Sequence, residues 1–330
     1  MFEQCEIGGK RFAPARFVAP MAGYTHSAFR RLVAELGGCG ALWTEMLSAR
    51  QIINEDFSKS AWVKRREVEK FVVYQLMVRE NDPMDRVVST LLSQGADAID
   101  LNLACDAPQI RSLQAGSALF TDIATMRKII EQTRKHWKGM LTVKIRLGDR
   151  HPQWQQRLEE RIKLIQDCGV DAVIVHPRFF EDKFKRSARY DTFDFIASIT
   201  NLPIIASGDI VGRETVEKNA QKLKPVSAIM LGRIAIIKPW VFAQWDKDFT
   251  PDYRGIWQKM FDYIKEDFEP VVALSRIKMF TKYYSANFLF GNIFRNKINN
   301  GKNLDEAQKA ADEFFDKDPA IVKNPVVENL

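Results

Sequence analysis

Short apolar and β-branched runs alternate with longer amphipathic segments along the first part of the chain. Each run ends in small or polar residues, and each gap is long enough for one helix, as in 121–137, where apolar residues recur at helical spacing. The runs predict eight strands, at 17–23, 41–46, 71–76, 98–104, 141–146, 172–177, 203–208 and 228–233. Repeated strand–helix units predict a parallel sheet with helices on both faces.

The number of these units favours one particular α/β fold. Eight units fit a closed (β/α)8 TIM barrel, which typically takes about 250 residues, better than an open doubly wound sheet. Functional groups in such a barrel lie at the carboxyl ends of the strands. Polar side chains stand at most of these predicted ends, in chain order Glu45, Gln75, Asn102, Lys144, His176, Asp209 and Arg233. A single polar strand end can be a satisfied structural group, but the whole set predicts a functional site.

The pattern changes after residue 245, where strand-like runs stop and helical periodicity takes over. We expect a catalytic barrel domain over 1–245 and an all-α domain over 246–330. No acidic residue occurs between Glu269 and Asp305, whereas six basic ones do: Arg276, Lys278, Lys282, Arg295, Lys297 and Lys302. Interleaved aromatic residues make this segment suitable for contact with nucleic-acid phosphates and bases. The aromatic residues can also form the core of the small domain, with the lysines as its solvated face.

Composition and charge narrow the class of protein. Apolar residues make up 46% of the 330 residues and charged residues 28%, as in globular proteins with a sizeable core. No stretch approaches the ~18 consecutive apolar residues of a transmembrane helix, and the first residues lack a signal-peptide pattern, so we expect a cytoplasmic protein. The net charge of +7 favours a polyanionic partner if it is concentrated on one face.

The cysteines and histidines predict neither disulfides nor a metal site. The four cysteines lie far apart and form no C-x-x-C pair, and His26, His136 and His151 have no ligand-like spacing. Most single cysteines are inert and buried. Cys105 differs from the others because it directly follows the fourth predicted strand. An unpaired thiol there can act as a general acid.

Two glycine-containing strand ends suggest a phosphorylated ligand. Barrels often hold phosphate at the loops after strands seven and eight, where backbone N–H groups meet the anion. Those loops read S-G-D at 207–209 and G-R at 232–233, and Arg233 can offer paired donors. His176 and Arg178, after strand six, could bind phosphate or a substrate carbonyl.

Lys144 is predicted to point into the barrel mouth, because its apolar neighbours in V-K-I-R face the other way. A cation there needs an anionic partner. A reduced flavin ring, with Gln75 beside it, would supply one. A salt bridge to Glu45 or Asp209 is the structural alternative.

A series of motifs resembles one known family. In chain order they read A-P-M-A-G-Y-T-H-S-A-F-R (19–30), V-Y-Q-L, D-L-N-L-A-C, G-S-A-L-F, V-K-I-R-L-G, V-H-P-R, A-S-G-D-I and M-L-G-R. Over the whole barrel, and in this order, they resemble the tRNA-dihydrouridine synthase family. The segment from R-I-K-M-F (276–280) onward is similar to the helical tRNA-binding domain of that family.

The resemblance implies an enzyme that uses FMN and NADPH to reduce particular uridines in tRNA to 5,6-dihydrouridine. Cys105 would protonate C5 of the uracil while N5 of the flavin delivers hydride to C6. Asn102 and Arg178 would lie beside the uracil, and the tRNA contacts of the helical domain would include Arg276, Lys278 and Lys282. We expect a monomer without a metal. The implied FMN contacts are Pro20, Met21, Ala22, Gln75, Lys144, His176, Ser207, Gly208, Asp209, Gly232 and Arg233.

The chain departs from the family pattern at two points, and rival functions follow. Ala104-Cys105-Asp106 stands where the family usually has G-C-P, and S-G-D stands where it has N-G-D. Substrate preference could therefore differ.

An FMN-dependent barrel oxidoreductase acting on a free pyrimidine or another small molecule would explain the strand ends but not the acid-free basic segment. A tRNA-binding relative without chemistry would not need Cys105, Lys144 and Gln75.

Overall fold

The computed structural model describes residues 1–182 and 185–327. Within these residues the strands are β1 (Cys5–Ile7), β2 (Lys10–Phe12), β3 (Arg16–Val18), β4 (Ala41–Trp43), β5 (Leu47–Ser48), β6 (Val72–Met77), β7 (Ala98–Asn102), β8 (Met140–Arg146), β9 (Ala172–His176), β10 (Ile204–Ser207) and β11 (Ala228–Leu231). The α-helices are α1 (Ser27–Leu36), α2 (Ala49–Ile52), α3 (Met84–Ser93), α4 (Pro108–Arg111), α5 (Ser117–Thr121), α6 (Ile123–His136), α7 (Trp154–Asp167), α8 (Phe193–Ser198), α9 (Arg213–Lys218), α10 (Arg233–Ile237), α11 (Tyr253–Asp267), α12 (Pro270–Tyr284), α13 (Gly291–Asn300) and α14 (Leu304–Phe315). Single 3₁₀ turns cover Phe180–Asp182, Tyr190–Thr192, Ala243–Trp245 and Ser285–Asn287.

Eight parallel strands close into a barrel. Strands β3, β4 and β6 to β11 pair in sequence around the ring, and β11 pairs with β3 to complete it. Each predicted run overlaps one of these strands, so the predicted TIM barrel is confirmed. Every residue of β6, β7 and β9 is buried, as expected for parallel strands covered on both faces.

An antiparallel hairpin precedes the barrel and was not predicted. Strands β1 and β2 pair across Gly8 and Gly9, which have φ values of +56° and +71°. Two consecutive positive φ values suit a tight two-residue hairpin turn, and glycine adopts them without strain. A Cβ atom on Gly8 would lie 3.2 Å from Met140 at the start of β8. The hairpin therefore lies at the amino-terminal end of the barrel, away from the strand ends predicted to carry function.

The four helices α11 to α14 follow the barrel and share an aromatic core. Trp257 packs against Phe294, and Phe294 stacks on Phe314 with ring centroids 4.4 Å apart. Four of the interleaved aromatic residues are buried, as the core explanation requires: Phe280, Tyr284, Phe288 and Phe294. Phe290, in contrast, is 68% exposed. The domain boundary at residue 245 stays a prediction, and residues 328–330 of the second predicted domain lie outside the described residues.

Charged contacts hold the helical region against the barrel. The Arg31 guanidinium on α1 lies 3.8 Å from the ring centroid of Tyr263 on α11 and 2.8 Å from a carboxylate oxygen of Glu266. The buried carboxylate of Asp267 accepts a hydrogen bond from Lys64 at 3.2 Å. These contacts place the start of α12 beside the barrel loops, close to the carboxyl ends of the strands.

Candidate active site

A cavity of about 860 Å³ lies at the carboxyl ends of the barrel strands. TIM-barrel enzymes hold their substrates at this end. The structure brings every barrel residue that was singled out as a site residue to the lining of this one cavity. They are Pro20, Met21, Ala22, Gln75, Asn102, Cys105, Lys144, His176, Arg178, Ser207, Gly208, Asp209, Gly232 and Arg233. Their individual roles stay predictions, but their convergence is a property of the fold.

The cavity has an excess of positive charge. Its lining contains four cationic side chains and two carboxylates, Asp106 and Asp209. The guanidinium of Arg178 lies 2.6 Å from Nε2 of His176, and because a guanidinium can only donate, Nε2 must accept. Burial, together with the neighbouring cations, holds the pKa of His176 well below its usual range. His176 is therefore neutral, and the net positive lining suits an anionic ligand. The cations are Lys144, Arg146, Arg178 and Arg233.

The S-G-D turn after β10 brings Asp209 back onto Arg178. Arg178 donates to Asp209 Oδ1 at 2.6 Å, and the backbone N–H of Ala188 donates to Oδ2 at 2.8 Å. Gly208 has a φ of +100°, and a Cβ atom there would lie 2.5 Å from the His176 ring. Only glycine therefore fits between the histidine and the turn. Arg178 and Asp209, predicted separately as substrate and cofactor contacts, form an ion pair at the cavity wall.

Below the mouth, three adjacent strands contribute a buried chain of polar side chains. The strand register places Gln75 beside Asp100 and Asp100 beside Thr142. Gln75 Nε2 donates to one carboxylate oxygen of Asp100 and Thr142 Oγ1 to the other, each at 2.7 Å. Burial raises the pKa of Asp100 to about 6, and these two hydrogen bonds oppose the rise. Asn102 continues the chain, since its Nδ2 donates to Gln75 Oε1 at 2.9 Å.

Lys144 lies on the same face of β8 as Thr142, two residues closer to the mouth. Burial lowers the pKa of Lys144 to about 8; Arg146 adds to this shift, and Asp100 and Cys105 oppose it. The two carboxylates considered as salt-bridge partners are engaged elsewhere: Glu45 accepts from the Gly23 backbone at 2.6 Å, and Asp209 binds Arg178. Among the described residues, no carboxylate oxygen lies within 4.0 Å of the lysine Nζ. The lysine thus faces the cavity without the alternative salt bridge.

The loop that carries Cys105 is fixed at several points. Its thiol is free and half-buried. The backbone N–H of Cys105 donates to Asn102 Oδ1 at 3.0 Å, and its carbonyl accepts from the Ser117 N–H at 2.9 Å. Asp106, the departure from the family motif, accepts from Ser117 Oγ at 2.7 Å. A Cβ atom on Gly116 would lie 2.4 Å from the Cys105 carbonyl oxygen, so only glycine allows this close approach.

Several cavity residues were not predicted. Arg146 follows Lys144 by two positions on β8, so strand alternation could have identified it. Tyr283 on α12 and Val327 in the last described segment also line the cavity. The Tyr283 ring packs edge-on against Tyr24 at 5.3 Å. No local pattern connects these distant segments with a barrel mouth.

The three cations assigned to tRNA contact do not line the cavity. Arg276 donates to the Gly23 carbonyl at 3.0 Å, and its guanidinium lies 4.7 Å from the Trp62 ring centroid. Lys278 donates to the Gly301 carbonyl at 2.6 Å. Lys282 lies 6.0 Å from the ring centroid of Tyr283. Arg276 therefore contacts the barrel, Lys278 contacts its own helical region, and Lys282 lies beside Tyr283, which lines the cavity.

Residues 1–182 and 185–327 contain no cluster of three or more histidine, cysteine or carboxylate side chains suited to a metal ion. In the same part of the chain, no helix has both the length and the hydrophobicity to cross a bilayer.

The closed barrel, with its chemistry at the carboxyl ends of the strands, defines a TIM-barrel enzyme. Solved structures agree on the fold. The old yellow enzyme homologue from Zymomonas mobilis aligns with a TM-score of 0.56 at 13% identity, covering 79% of this chain and 98% of that one. The old yellow enzyme from Trypanosoma cruzi aligns with a TM-score of 0.53 at 8% identity, covering 81% and 98%.

The family is more specific than the fold. The family model described as "Dihydrouridine synthase (Dus)" matches residues 17–318, and the chain belongs to this family. It is therefore a flavin-dependent oxidoreductase, and the resemblance drawn from the sequence is confirmed.

Curated relatives agree with this assignment. "tRNA-dihydrouridine synthase B" from Xanthomonas campestris pv. campestris is 31% identical over 252 residues, or 72% of this chain and 71% of the relative. A "Probable tRNA-dihydrouridine synthase" from Helicobacter pylori is 26% identical over 314 residues, or 92% of each chain.

Proposed function

We propose that the protein is a tRNA-dihydrouridine synthase, which uses FMN and NADPH to reduce particular uridines of tRNA to 5,6-dihydrouridine. One observation carries this proposal. The residues that match the family motifs, on separate strands and loops, converge on a single cationic cavity with a free thiol at its wall. The names of the curated relatives support tRNA as the substrate.

The cavity suits FMN in charge and in size. Its volume of about 860 Å³ lies within the range of cavities that hold a cofactor-sized ligand. Gly208, Gly232 and Arg233 would hold the phosphate, because backbone N–H groups at glycines and a guanidinium can surround an anion. Lys144 and Gln75 would contact the ring system. When bound, the flavin supplies the hydride.

The protein's own groups would supply the proton and orient the base. Cys105 would hold a proton on Sγ for C5 of the uracil. Asn102 uses one Nδ2 hydrogen to bind Gln75, so the second remains for a uracil carbonyl. Arg178 is held in place by Asp209 and His176, which makes it a rigid donor at the cavity wall. In the proposed complex, these fixed positions would hold the acid within ~3.5 Å of the reacting carbon.

A uridine in folded tRNA must leave its stack to enter a barrel, which costs a few kcal/mol. Contacts between tRNA and the helical region would offset that cost. The charged contacts of Arg31 and Asp267 hold this region beside the mouth, and Tyr283 reaches the cavity itself. Tyr283 would therefore lie next to the extruded nucleotide.

The same proposal covers reductant, assembly and location. We propose NADPH as the electron donor to the flavin, a monomer that needs no metal ion, and a cytoplasmic enzyme acting where tRNA is processed.

Mass spectrometry of tRNA tests the function directly. Dihydrouridine is measured position by position in tRNA from cells that lack the protein, and in unmodified tRNA incubated with the protein, FMN and NADPH. Loss at a position in the cells, with restoration in vitro by the wild-type chain but not by Cys105→Ala, supports the proposal. Unchanged dihydrouridine in the cells, together with no product in vitro, contradicts it.

One observation favours a second function, the reduction of a free pyrimidine or another small molecule. Two of the three cations assigned to tRNA bind backbone carbonyls of the protein instead, namely Arg276 and Lys278. Reoxidation of the reduced enzyme separates the two functions. Reoxidation by tRNA but not by free uracil or uridine supports the synthase, and the reverse supports the small-molecule enzyme.

A further inference from the structure

A buried chain of hydrogen bonds connects the centre of the barrel with the loop of Cys105. It begins at Asp100, whose side chain is fully buried, and passes through Gln75 to Asn102. It ends where Asn102 Oδ1 accepts from the backbone N–H groups of Ala104, at 3.2 Å, and Cys105, at 3.0 Å. The family motifs assign functions to Gln75, Asn102 and Cys105 but none to Asp100.

The chemistry of the two ends gives this chain one direction. An ionised carboxylate only accepts hydrogen bonds, so Gln75 must turn its NH₂ group toward Asp100. Its carbonyl oxygen is then the group left for Asn102, which must in turn offer its own NH₂ group. The oxygen of Asn102 is thereby directed at the loop, where backbone N–H groups can only donate. Both ends require the same orientation of both amides.

Without the acceptor oxygens at position 100, no orientation of the two amides satisfies both ends of the chain of hydrogen bonds. Gln75 would keep a buried NH₂ group without a partner, and such a group costs free energy. If the Gln75 amide turned over, its NH₂ group could donate to Asn102 Oδ1. The Asn102 amide would then have to turn as well, and its own NH₂ group would face the backbone N–H groups of the loop. Two donors would face each other at Ala104 and Cys105. The loop would lose its anchor although no residue in contact with it had changed.

We propose that Asp100 is a positioning residue, which orients the Gln75 and Asn102 amides and through them holds the backbone of Cys105. The catalytic consequence rests on the proposed function, because it requires Cys105 to be the acid. The orientation itself does not depend on any activity. Asp100 acts through its acceptor oxygens rather than through its charge, which distinguishes this role from simple pairing with the nearby Lys144.

Residue-resolved amide hydrogen exchange of the flavin-loaded protein tests the orientation. In Asp100→Leu, the amides of Ala104 and Cys105 should exchange about tenfold faster, the factor that one lost hydrogen bond produces. In Asp100→Asn they should exchange at nearly the wild-type rate, since the Asn oxygen still accepts from Gln75 and Thr142 can accept from its NH₂. Thr142→Val is the matched control, because it removes the Thr142 hydrogen bond to Asp100 and leaves the Gln75 link intact.

Three results would overturn the proposal: unchanged exchange at Ala104 and Cys105 in Asp100→Leu, equal acceleration in Asp100→Asn, or equal acceleration across the whole chain, which indicates general destabilisation. If Asp100→Leu does not fold, Gln75→Leu interrupts the same chain one step later and should accelerate the same two amides.

A half-reaction measurement then links orientation to catalysis. Asp100→Leu should slow the single-turnover reduction of tRNA at least about tenfold more than it slows the reduction of its flavin by NADPH. Equal slowing of both half-reactions would contradict a role through Cys105. If tRNA is not the substrate, the turnover readout is lost but the exchange result stands, so the two proposals fail separately.

Discussion

The barrel mouth and the helical region both contain clustered cations, but the cations face different partners. In the mouth, Lys144 and Arg178 line one shared cavity. In the helical region, Arg276 and Lys278 donate to backbone carbonyls at 3.0 and 2.6 Å. The difference follows from topology. Parallel barrel strands bring all their carboxyl ends to one place, whereas a charged run over several helices does not specify which side chains reach solvent.

The largest expected effect is in the mouth, at Cys105. Cys105→Ala should lower turnover by about 10² to 10⁴-fold, the usual contribution of a general acid, while flavin and tRNA binding are retained. Dihydrouridine formed per tRNA, measured by mass spectrometry, is the readout. Cys168→Ala is the control, because this buried cysteine at the end of α7 lies outside the cavity. Wild-type turnover in Cys105→Ala would show that another group delivers the proton.

The next prediction compares the loss of stability when one ion pair in each region is broken. Asp209→Ala leaves the buried Arg178 without its carboxylate and should destabilise the fold by about 1–3 kcal/mol, less than a fully buried pair because Asp209 is 31% exposed. Glu313→Ala removes the partner of Lys297 at the surface of the helical region and should cost much less, because solvent screens an exposed pair. Urea unfolding measures both. Equal losses would mean that burial does not distinguish the two pairs.

The contrast also explains which parts of the molecule the sequence could predict. The eight barrel strands could be predicted because each is an apolar run followed by a helix-length segment. The β1–β2 hairpin was not recognised, although Gly8-Gly9 between two short strands is a turn signal. Asp100 was overlooked because it lies in mid-strand rather than at a strand end.

Contacts between distant segments were beyond the reach of local patterns. Tyr283 reaches the cavity only because α11 and α12 dock on the barrel. Arg276 donates to the barrel residue Gly23 for the same reason. The charge run indicated a basic segment correctly but gave no information on which of its side chains the docking would engage.

A smaller effect separates Lys282 from Arg276 in tRNA binding. Lys282→Ala should weaken binding and reduce the slope of log affinity against log salt by about 1, as for the loss of one phosphate contact. Arg276→Ala should weaken binding with little change in that slope, because its guanidinium contacts Gly23 and Trp62. Titration of labelled tRNA at several salt concentrations distinguishes them. A flattened salt dependence in Arg276→Ala would place that residue on the RNA surface after all.

The last effect concerns the pH dependence of stability in the flavin-free protein. Burial lowers the pKa of Lys144 from its usual 10.5 to about 8. Between these two values the unfolded chain holds a proton that the folded chain has released. Unfolding therefore takes up a proton, and the free energy of unfolding should rise with pH by at most about 1.4 kcal/mol per pH unit. Below pH 8 the lysine is charged in both states, and its burial destabilises the fold in full.

Lys144→Met should remove this rise, since methionine fills similar space without a charge. Lys278→Met is the control from the helical region and should keep the wild-type slope. Urea unfolding at pH 8, 9 and 10 measures all three proteins. Parallel curves for the wild type and Lys144→Met would mean that Lys144 keeps its charge up to pH 10 in the folded protein. The mouth would then stabilise that charge as well as water does, and the lysine would not need an anionic ligand.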